Sequence, residues 1–248
     1  MKKNKVAANL NESIDRIINK NTNFDTVETY KSIRTNIMFS LPKTDSGKII
    51  SLASANPDEG KTTTSINLAI TFAQTGAKVI LLDCDLRKAR IHRYLQINRW
   101  DGVSNILCGF VEFEKAVKRN VRENLDVLTA GEIPPNPAEL LNSIEFSKLF
   151  EKLRKEYDYI IVDTPPVNVV TDAAIVAKQA DGVIFVVREN STTFDSLDDA
   201  ISSIKNSDAN ILGVIAVGCE NKRKKYSYKN SKLQYSDEPR FEGGIIGH

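Results

Sequence analysis

Lys48-Ile49-Ile50-Ser51-Leu52-Ala53-Ser54-Ala55-Asn56-Pro57-Asp58-Glu59-Gly60-Lys61-Thr62 reads as a short apolar strand that runs into a turn and opens a helix. The second half of the phosphate-binding pattern G-x-x-x-x-G-K-[ST] is intact as Gly60-Lys61-Thr62, with Ala55 at the first glycine position. Gly60 has no Cβ, so backbone N–H groups can approach phosphate oxygens closely. The helix that starts near Lys61 adds unpaired N–H groups and the positive end of its dipole. In this arrangement Lys61 reaches the β- and γ-phosphates of ATP and the Thr62 hydroxyl ligates Mg²⁺. Pro57, Asp58, Glu59 and Thr63 complete the stretch expected around the nucleotide. Asp58 and Glu59 place two carboxylates in a loop that holds polyanions, so they must point to solvent or toward a cation.

Outward from this turn, strand and helix patterns alternate. A helix over about 61–74 ends at Gly76, and strands follow at 79–82, 125–128, 159–162, 183–187 and 212–217, with helices over 138–156 and 194–206. The strands are continuous β-branched runs without polar alternation, which marks strands covered on both faces. The fold class is therefore α/β, a doubly wound and mostly parallel sheet of the P-loop NTPase type, whose ligands sit beyond the carboxyl ends of the strands. Phe24–Phe39 carries Val27, Tyr30, Ile33, Ile37 and Met38 at helical spacing. The expected organisation is an N-terminal arm over 1–24, with a short helix around Ile14, Ile17 and Ile18, a domain over 25–219, and a flexible tail over 220–248.

Two strands end in aspartate. Val79-Ile80-Leu81-Leu82 leads into Asp83-Cys84-Asp85-Leu86-Arg87, and the period of two puts Asp83 and Asp85 on one side of the chain, where a nearby cation would offset their repulsion. Arg87 is either a counter-ion to this pair or a phosphate contact. Tyr159-Ile160-Ile161-Val162-Asp163 has the form of a Walker B strand, its Asp163 holding the metal. A lone Gly-Lys-Thr, or a lone aspartate at a strand end, is also an ordinary helix or turn signal. Three such aspartates beside the Gly-Lys-Thr turn argue for one shared metal and nucleotide site, to which Thr62, Asp163 and the Asp83–Asp85 pair bring the oxygen ligands, Asp85 being the member of the pair expected on the metal.

Composition narrows the function classes. The 248 residues are 41% hydrophobic with a net charge of +2, which makes no global case for nucleic acid. The three cysteines, Cys84, Cys108 and Cys219, form no CxxC pair and read as reduced thiols. No apolar run approaches the roughly 20 residues of a membrane-spanning helix, and Met1-Lys2-Lys3-Asn4-Lys5 leads into no signal core. The expected location is the cytoplasm.

Four elements resemble the bacterial tyrosine kinases of capsular and exopolysaccharide synthesis: Pro57–Thr62, Leu81–Lys88, Gly131-Glu132-Ile133-Pro134-Pro135-Asn136-Pro137-Ala138-Glu139-Leu140-Leu141, and Asp163-Thr164-Pro165-Pro166. The resemblance spans about residues 25–220. It implies transfer of the ATP γ-phosphoryl group to tyrosines of a neighbouring subunit's tail, here Tyr226, Tyr228 and Tyr235, a sparser cluster than family tails carry. It assigns catalysis to Lys61, Asp83, Asp85 and Asp163. The family's oligomerisation helix, here 26–40, carries Glu-x-x-Arg-x-x-Arg; this chain has Glu28, Lys31 and Arg34, with a lysine in place of the first arginine. Asp58 stands where the family commonly has glycine. The implied partners are further copies of the chain, a cognate tyrosine phosphatase, and the cytoplasmic segment of a membrane-anchored polysaccharide co-polymerase that recruits the kinase to the inner face of the membrane.

Two alternatives share the fold. A partitioning or septum-positioning switch ATPase carries a signature lysine early in the loop, where this chain has Asn56, and often ends in an amphipathic membrane helix that this tail lacks. A scaffold that binds nucleotide without phosphorylating anything is the other.

Overall fold

The computed structural model describes residues 14–219. Its strands are β1 (Lys48–Ala53), β2 (Val79–Asp83), β3 (Lys118–Arg122), β4 (Leu125–Leu128), β5 (Tyr159–Asp163), β6 (Gly182–Arg188) and β7 (Ile211–Val217). They form one seven-stranded sheet in the order β3-β4-β2-β5-β1-β6-β7, parallel throughout except for β3 against β4. The six expected strands are present. β3 is an addition, because Lys118-Arg119-Asn120-Val121-Arg122 has no apolar pattern to mark it. It is held as the edge arm of a hairpin, where Asp126 Oδ1 accepts from the Asn120 N–H at 2.8 Å and Asn124 turns the chain at φ 58°. A charged strand at this edge discourages pairing with another sheet.

Successive side chains of the central strands alternate between two cores, as a period of two requires. Ile49, Ile80, Leu82, Ile160 and Val162 pack on one side, against Phe146, Leu149, Phe150 and Leu153 of α7 (Ile144–Glu156). Ile50, Leu52, Leu81 and Ile161 pack on the other, against Ile66, Phe72 and their neighbours in α2 (Lys61–Ala73). A third cluster joins β6 to α8 (Asp172–Ala177) and α9 (Phe194–Lys205). Short helices α3 (Ile91–Tyr94), α4 (Val103–Leu107), α5 (Phe113–Ala116) and α6 (Pro137–Leu141) fill the connections.

Helix α2 is buried almost all round, because α1 (Phe24–Ser40) and residues 14–22 cover it from outside. Residues 14–22, expected in an arm, are in fact docked: Ile17 and Ile18 are buried, and the Asn67 side chain accepts from the Ile18 N–H and donates to the Arg16 carbonyl. On α1, Ile37 is buried and Val27, Tyr30 and Ile33 are partly buried against the same core. Met38, expected on that face, is exposed instead. Asn23 caps the helix by accepting from the Thr26 N–H.

The chain skips a position when it passes from β1 to β2, and β5 later fills the gap. The registers then set Leu52 beside Asp163 and Asp163 beside Asp83, so the phosphate loop and both aspartate strands converge at one carboxyl edge.

Candidate functional site

Gly60 is the N-cap of α2 at φ 88°, a conformation that favours glycine, and an added Cβ would meet Val217 at 3.1 Å. Behind it the Lys61 ammonium donates to Asp163 Oδ1 at 2.8 Å, and the Thr62 hydroxyl to Asp163 Oδ2 at 2.7 Å. Ser65, one turn along the helix, also donates to Oδ1. Asp163 is therefore a buried carboxylate wholly engaged by the first turns of α2. Ser65 was not anticipated, although its spacing of four from Lys61 is the available signal.

The two loop carboxylates take different courses. Glu59 does not face solvent; it is 2% exposed and accepts from the Asn56 N–H, the Asn56 amide and the Thr192 hydroxyl. Asn56 also donates to Ser196, which ties the loop to the start of α9. Asp58 turns to a cation as expected: its Oδ1 lies 2.6 Å from Arg90 Nη1, while its carbonyl accepts from Arg188 Nε. Arg90, Arg188, Thr192 and Ser196 come from distant segments and left no sign in the motif.

β2 ends at Asp83, so Asp85 lies beyond the strand and the two side chains separate. Asp85 lines the cavity in front of the loop together with Pro57, Gly60, Lys61, Thr62 and Thr63, and its Oδ1 accepts from the Lys88 N–H. Asp83 is sealed beneath the cavity with no exposed surface. One of its oxygens accepts from the Ile91 N–H at 3.2 Å, and the other has no partner among the described residues. Burial first, then the carboxylates of Asp163 and Asp85, hold the Asp83 carboxyl well above its ordinary range.

Arg87 lines the cavity but makes no ion pair with Asp83 or Asp85 among the described residues. Its guanidinium grips Asp172, at the start of α8, through two hydrogen bonds of 2.9 and 3.0 Å, and Asp172 is fully buried. That pairing raises the Arg87 pKa further above its ordinary value. The Gly131–Leu141 stretch leaves β4 through Gly131 at φ 81°, where Arg99 donates to its carbonyl and Ser104 to the Glu132 carbonyl. Pro137 then starts α6, whose Leu141 is buried.

Thr62, Asp85 and Asp163 offer the hard oxygen donors that Mg²⁺ prefers. No three His, Cys, Asp or Glu side chains among the described residues converge tightly enough to hold a metal alone. A cation here would complete its shell with phosphate oxygens and water.

Of the residues expected in oligomerisation, Glu28 and Lys31 pair with each other at 2.8 Å on the half-exposed face of α1. Arg34 turns inward and donates to the Thr71 carbonyl of α2 at 2.7 Å. Tyr226, Tyr228 and Tyr235 lie outside the described residues. No helix among the described residues is long and apolar enough to cross a membrane.

A parallel sheet with a Gly-Lys-Thr loop at its carboxyl edge and an aspartate strand beside it defines a P-loop domain of the nucleotide-binding class, and residues 47–213 match the AAA domain family AAA_31. The chain is 39% identical over 206 residues to tyrosine-protein kinase YwqD of Bacillus subtilis (strain 168), covering 83% of this chain and 86% of YwqD. Its fold is similar to the kinase domain of Escherichia coli tyrosine kinase ETK, with 33% identity, a TM-score of 0.76, and coverage of 82% of this chain and 80% of that one. It is also similar to the chimerical protein CapA2B2, with 36% identity, a TM-score of 0.73, and coverage of 76% and 83%. The chain belongs to the bacterial tyrosine kinases of capsular and exopolysaccharide biosynthesis and is a protein-tyrosine kinase.

Proposed function

We propose that this kinase transfers the γ-phosphoryl group of ATP to tyrosines in the tail of a neighbouring copy, Tyr226, Tyr228 and Tyr235, and thereby regulates polysaccharide polymerisation and export. The observation that carries the reading is the junction at Asp163. Lys61 and Thr62 both end on this carboxylate, directly beside the strand that ends at Asp83 and leads to Asp85.

In this reading the N–H groups of Gly60 to Thr63 cradle the phosphates, and Lys61 exchanges Asp163 for the β- and γ-phosphates. Thr62, Asp85 and Asp163 would hold Mg²⁺, which would neutralise charge on the phosphates. A second cavity, lined by Tyr30, Asn67, Arg188 and Val217, shares Gly60 and Thr63 with the first. The nucleoside lies on that side, which leaves the Asp85 side, walled by Pro165, Pro166 and Val169, for the incoming tyrosine. The tyrosine oxygen forms a bond to the γ-phosphorus, the bond to the ADP oxygen breaks, and Asp85 accepts the phenolic proton. Asp83 acts from below, by fixing the start of α3 through the Ile91 N–H.

The exposed Glu28–Lys31 pair supports an assembly through α1, in which tails reach neighbouring sites. The similarity to a chimera built from two components supports a kinase activated by a second protein. We place that activator at the membrane, which would recruit the kinase to its inner face, and a tyrosine phosphatase would reverse the modification.

Purified protein is incubated with ATP, with and without Mg²⁺ and a candidate activator segment, and phosphate is mapped by mass spectrometry. Phosphotyrosine within 226–235 that requires Mg²⁺ and disappears in Lys61→Met is the expected result. ATP hydrolysis without phosphotyrosine would instead mark a switch ATPase, and nucleotide binding alone a scaffold.

A further inference from the structure

The cavity in front of the phosphate loop holds several cations, and their partners differ in one respect. Lys61 is paired with Asp163 and Arg87 with Asp172, both carboxylates with side chains no more than 1% exposed. Removing either cation would strand a charge away from water, at high cost. Arg90 is paired with Asp58, whose side chain is 71% exposed, while that of Arg90 is 41% exposed. An exposed pair of this kind contributes little to stability, and water readily takes over either member.

Both members of this weak pair line the cavity, beside Gly60, Lys61 and Thr62. Asp58 sits in the loop itself at φ 62°, with its backbone fixed separately by the Arg188 contact to its carbonyl. Arg90 stands at the N-terminal boundary of α3, and the next N–H, that of Ile91, is tied to Asp83. The backbone of each residue is thus anchored while the side chains meet across the cavity. A planar guanidinium suits a phosphate at least as well as a carboxylate, because both accept its two parallel N–H donors.

We propose that the Asp58–Arg90 ion pair is a latch on the phosphate cavity, and that Arg90 leaves Asp58 to bind the terminal phosphate of the nucleotide. The proposal rests on the ATP reading above and adds a residue that the loop motif does not contain. It also gives the Asp58 carboxylate a role: the loop carries its own occupant for the arginine, which a triphosphate must displace. Nucleotide affinity is then set by an exchange of partners, and neutralising Asp58 tightens it.

The test is a double-mutant cycle in full-length protein, read as the affinity for fluorescent ATP and ADP analogues at fixed ionic strength. Asp58→Asn keeps the side-chain shape and tolerates the positive φ. The expected order is Asp58→Asn tighter than wild type for ATP, and Arg90→Gln weaker. In the Asp58→Asn background, removal of Arg90 should cost about tenfold in ATP affinity, because nothing then competes for the guanidinium. In the wild-type background the cost should be smaller, since part of the arginine's interaction is spent on leaving Asp58. ADP should feel both substitutions less than ATP. If Arg90→Gln costs nothing once Asp58 is asparagine, Arg90 merely shields the loop carboxylate and the latch is wrong. Equal effects on ATP and ADP would also overturn it, since the terminal phosphate would not be the target. Lys61→Met serves as the control for the site: wild-type protein that bound neither analogue would overturn the nucleotide reading itself, whereas binding lost in Lys61→Met with no Asp58–Arg90 coupling would overturn the latch alone.

Discussion

Replacing Arg87 with methionine separates a brace on Asp172, which the fold supplies, from the phosphate contact that the sequence leaves open. In Arg87→Met the Asp172 carboxylate loses both guanidinium hydrogen bonds, of 2.9 and 3.0 Å, while remaining fully buried. Breaking a buried pair by removing one partner costs about 3–5 kcal/mol. The Arg87 side chain is 40% exposed, so water reaches part of the pair, and Asp172 lies in the first turn of α8, where the helix dipole favours its charge. Together these reduce the expected loss to about 2–3 kcal/mol. Urea unfolding followed by circular dichroism measures it, with an unchanged m-value showing that the native fold is kept. Arg87→Met combined with Asp172→Asn should lose less than the sum of the single changes by about 1 kcal/mol or more, because the double variant leaves no stranded charge. A variant Arg87→Met that unfolds at the wild-type urea concentration yet loses phosphoryl transfer would refute the reasoning, since Arg87 would then be a phosphate contact and not a brace.

Glu59→Ala strands the Asn56 N–H, the Asn56 amide and the Thr192 hydroxyl around a site that is 2% exposed, so stability should fall by about 2–4 kcal/mol in urea unfolding, with a higher KM for ATP. Unchanged stability together with unchanged KM would show that the clasp does not shape the loop. Gly102→Ala brings a Cβ to 2.1 Å from the Thr129 carbonyl oxygen and 2.2 Å from the Gly131 nitrogen, both backbone atoms that cannot swing aside. The expected loss is about 3 kcal/mol by the same assay, and wild-type stability would refute so close an approach of the two backbone segments. Arg34→Ala removes the contact to the Thr71 carbonyl and should lower the unfolding free energy of dilute protein by about 1–2 kcal/mol, while Glu28→Ala, which loses only an exposed pair, should change it by less than about 0.5 kcal/mol. Equal effects of the two would deny Arg34 its role inside the chain.

Much of the architecture was legible because it is written in local patterns. A parallel strand covered on both faces must be apolar along its length, so Lys48–Ser54, Val79–Leu82 and Tyr159–Val162 announced themselves, and the helix between the first two followed from Gly60 and Gly76. β3 was not legible, because an edge strand held by a hairpin needs no apolar run. Helical spacing alone does not separate Met38 from Ile37, and the packing does: Ile37 faces the core and its neighbour does not. The docking of Ile17 and Ile18 leaves no local mark, because the core they enter and the Asn67 amide that bonds the Ile18 N–H lie about fifty residues away.

The phosphate loop, the aspartates at the ends of β2 and β5, and the family stretch at Gly131–Leu141 were determined by the sequence alone, since each is a short run whose residue types and order carry the chemistry. The partners of the charged residues were decided by tertiary structure. Nothing adjacent in sequence tells Arg87 to choose Asp172, Glu59 to choose Thr192, or Arg90 to choose Asp58. The pairings span 85, 133 and 32 residues, and they arise because β5 takes its place between β1 and β2 and the loops after β2, β5 and β6 close over the same edge. A local motif can specify which groups a phosphate site needs. Which of those groups are already paired with one another is set by the strand order that brings them within reach.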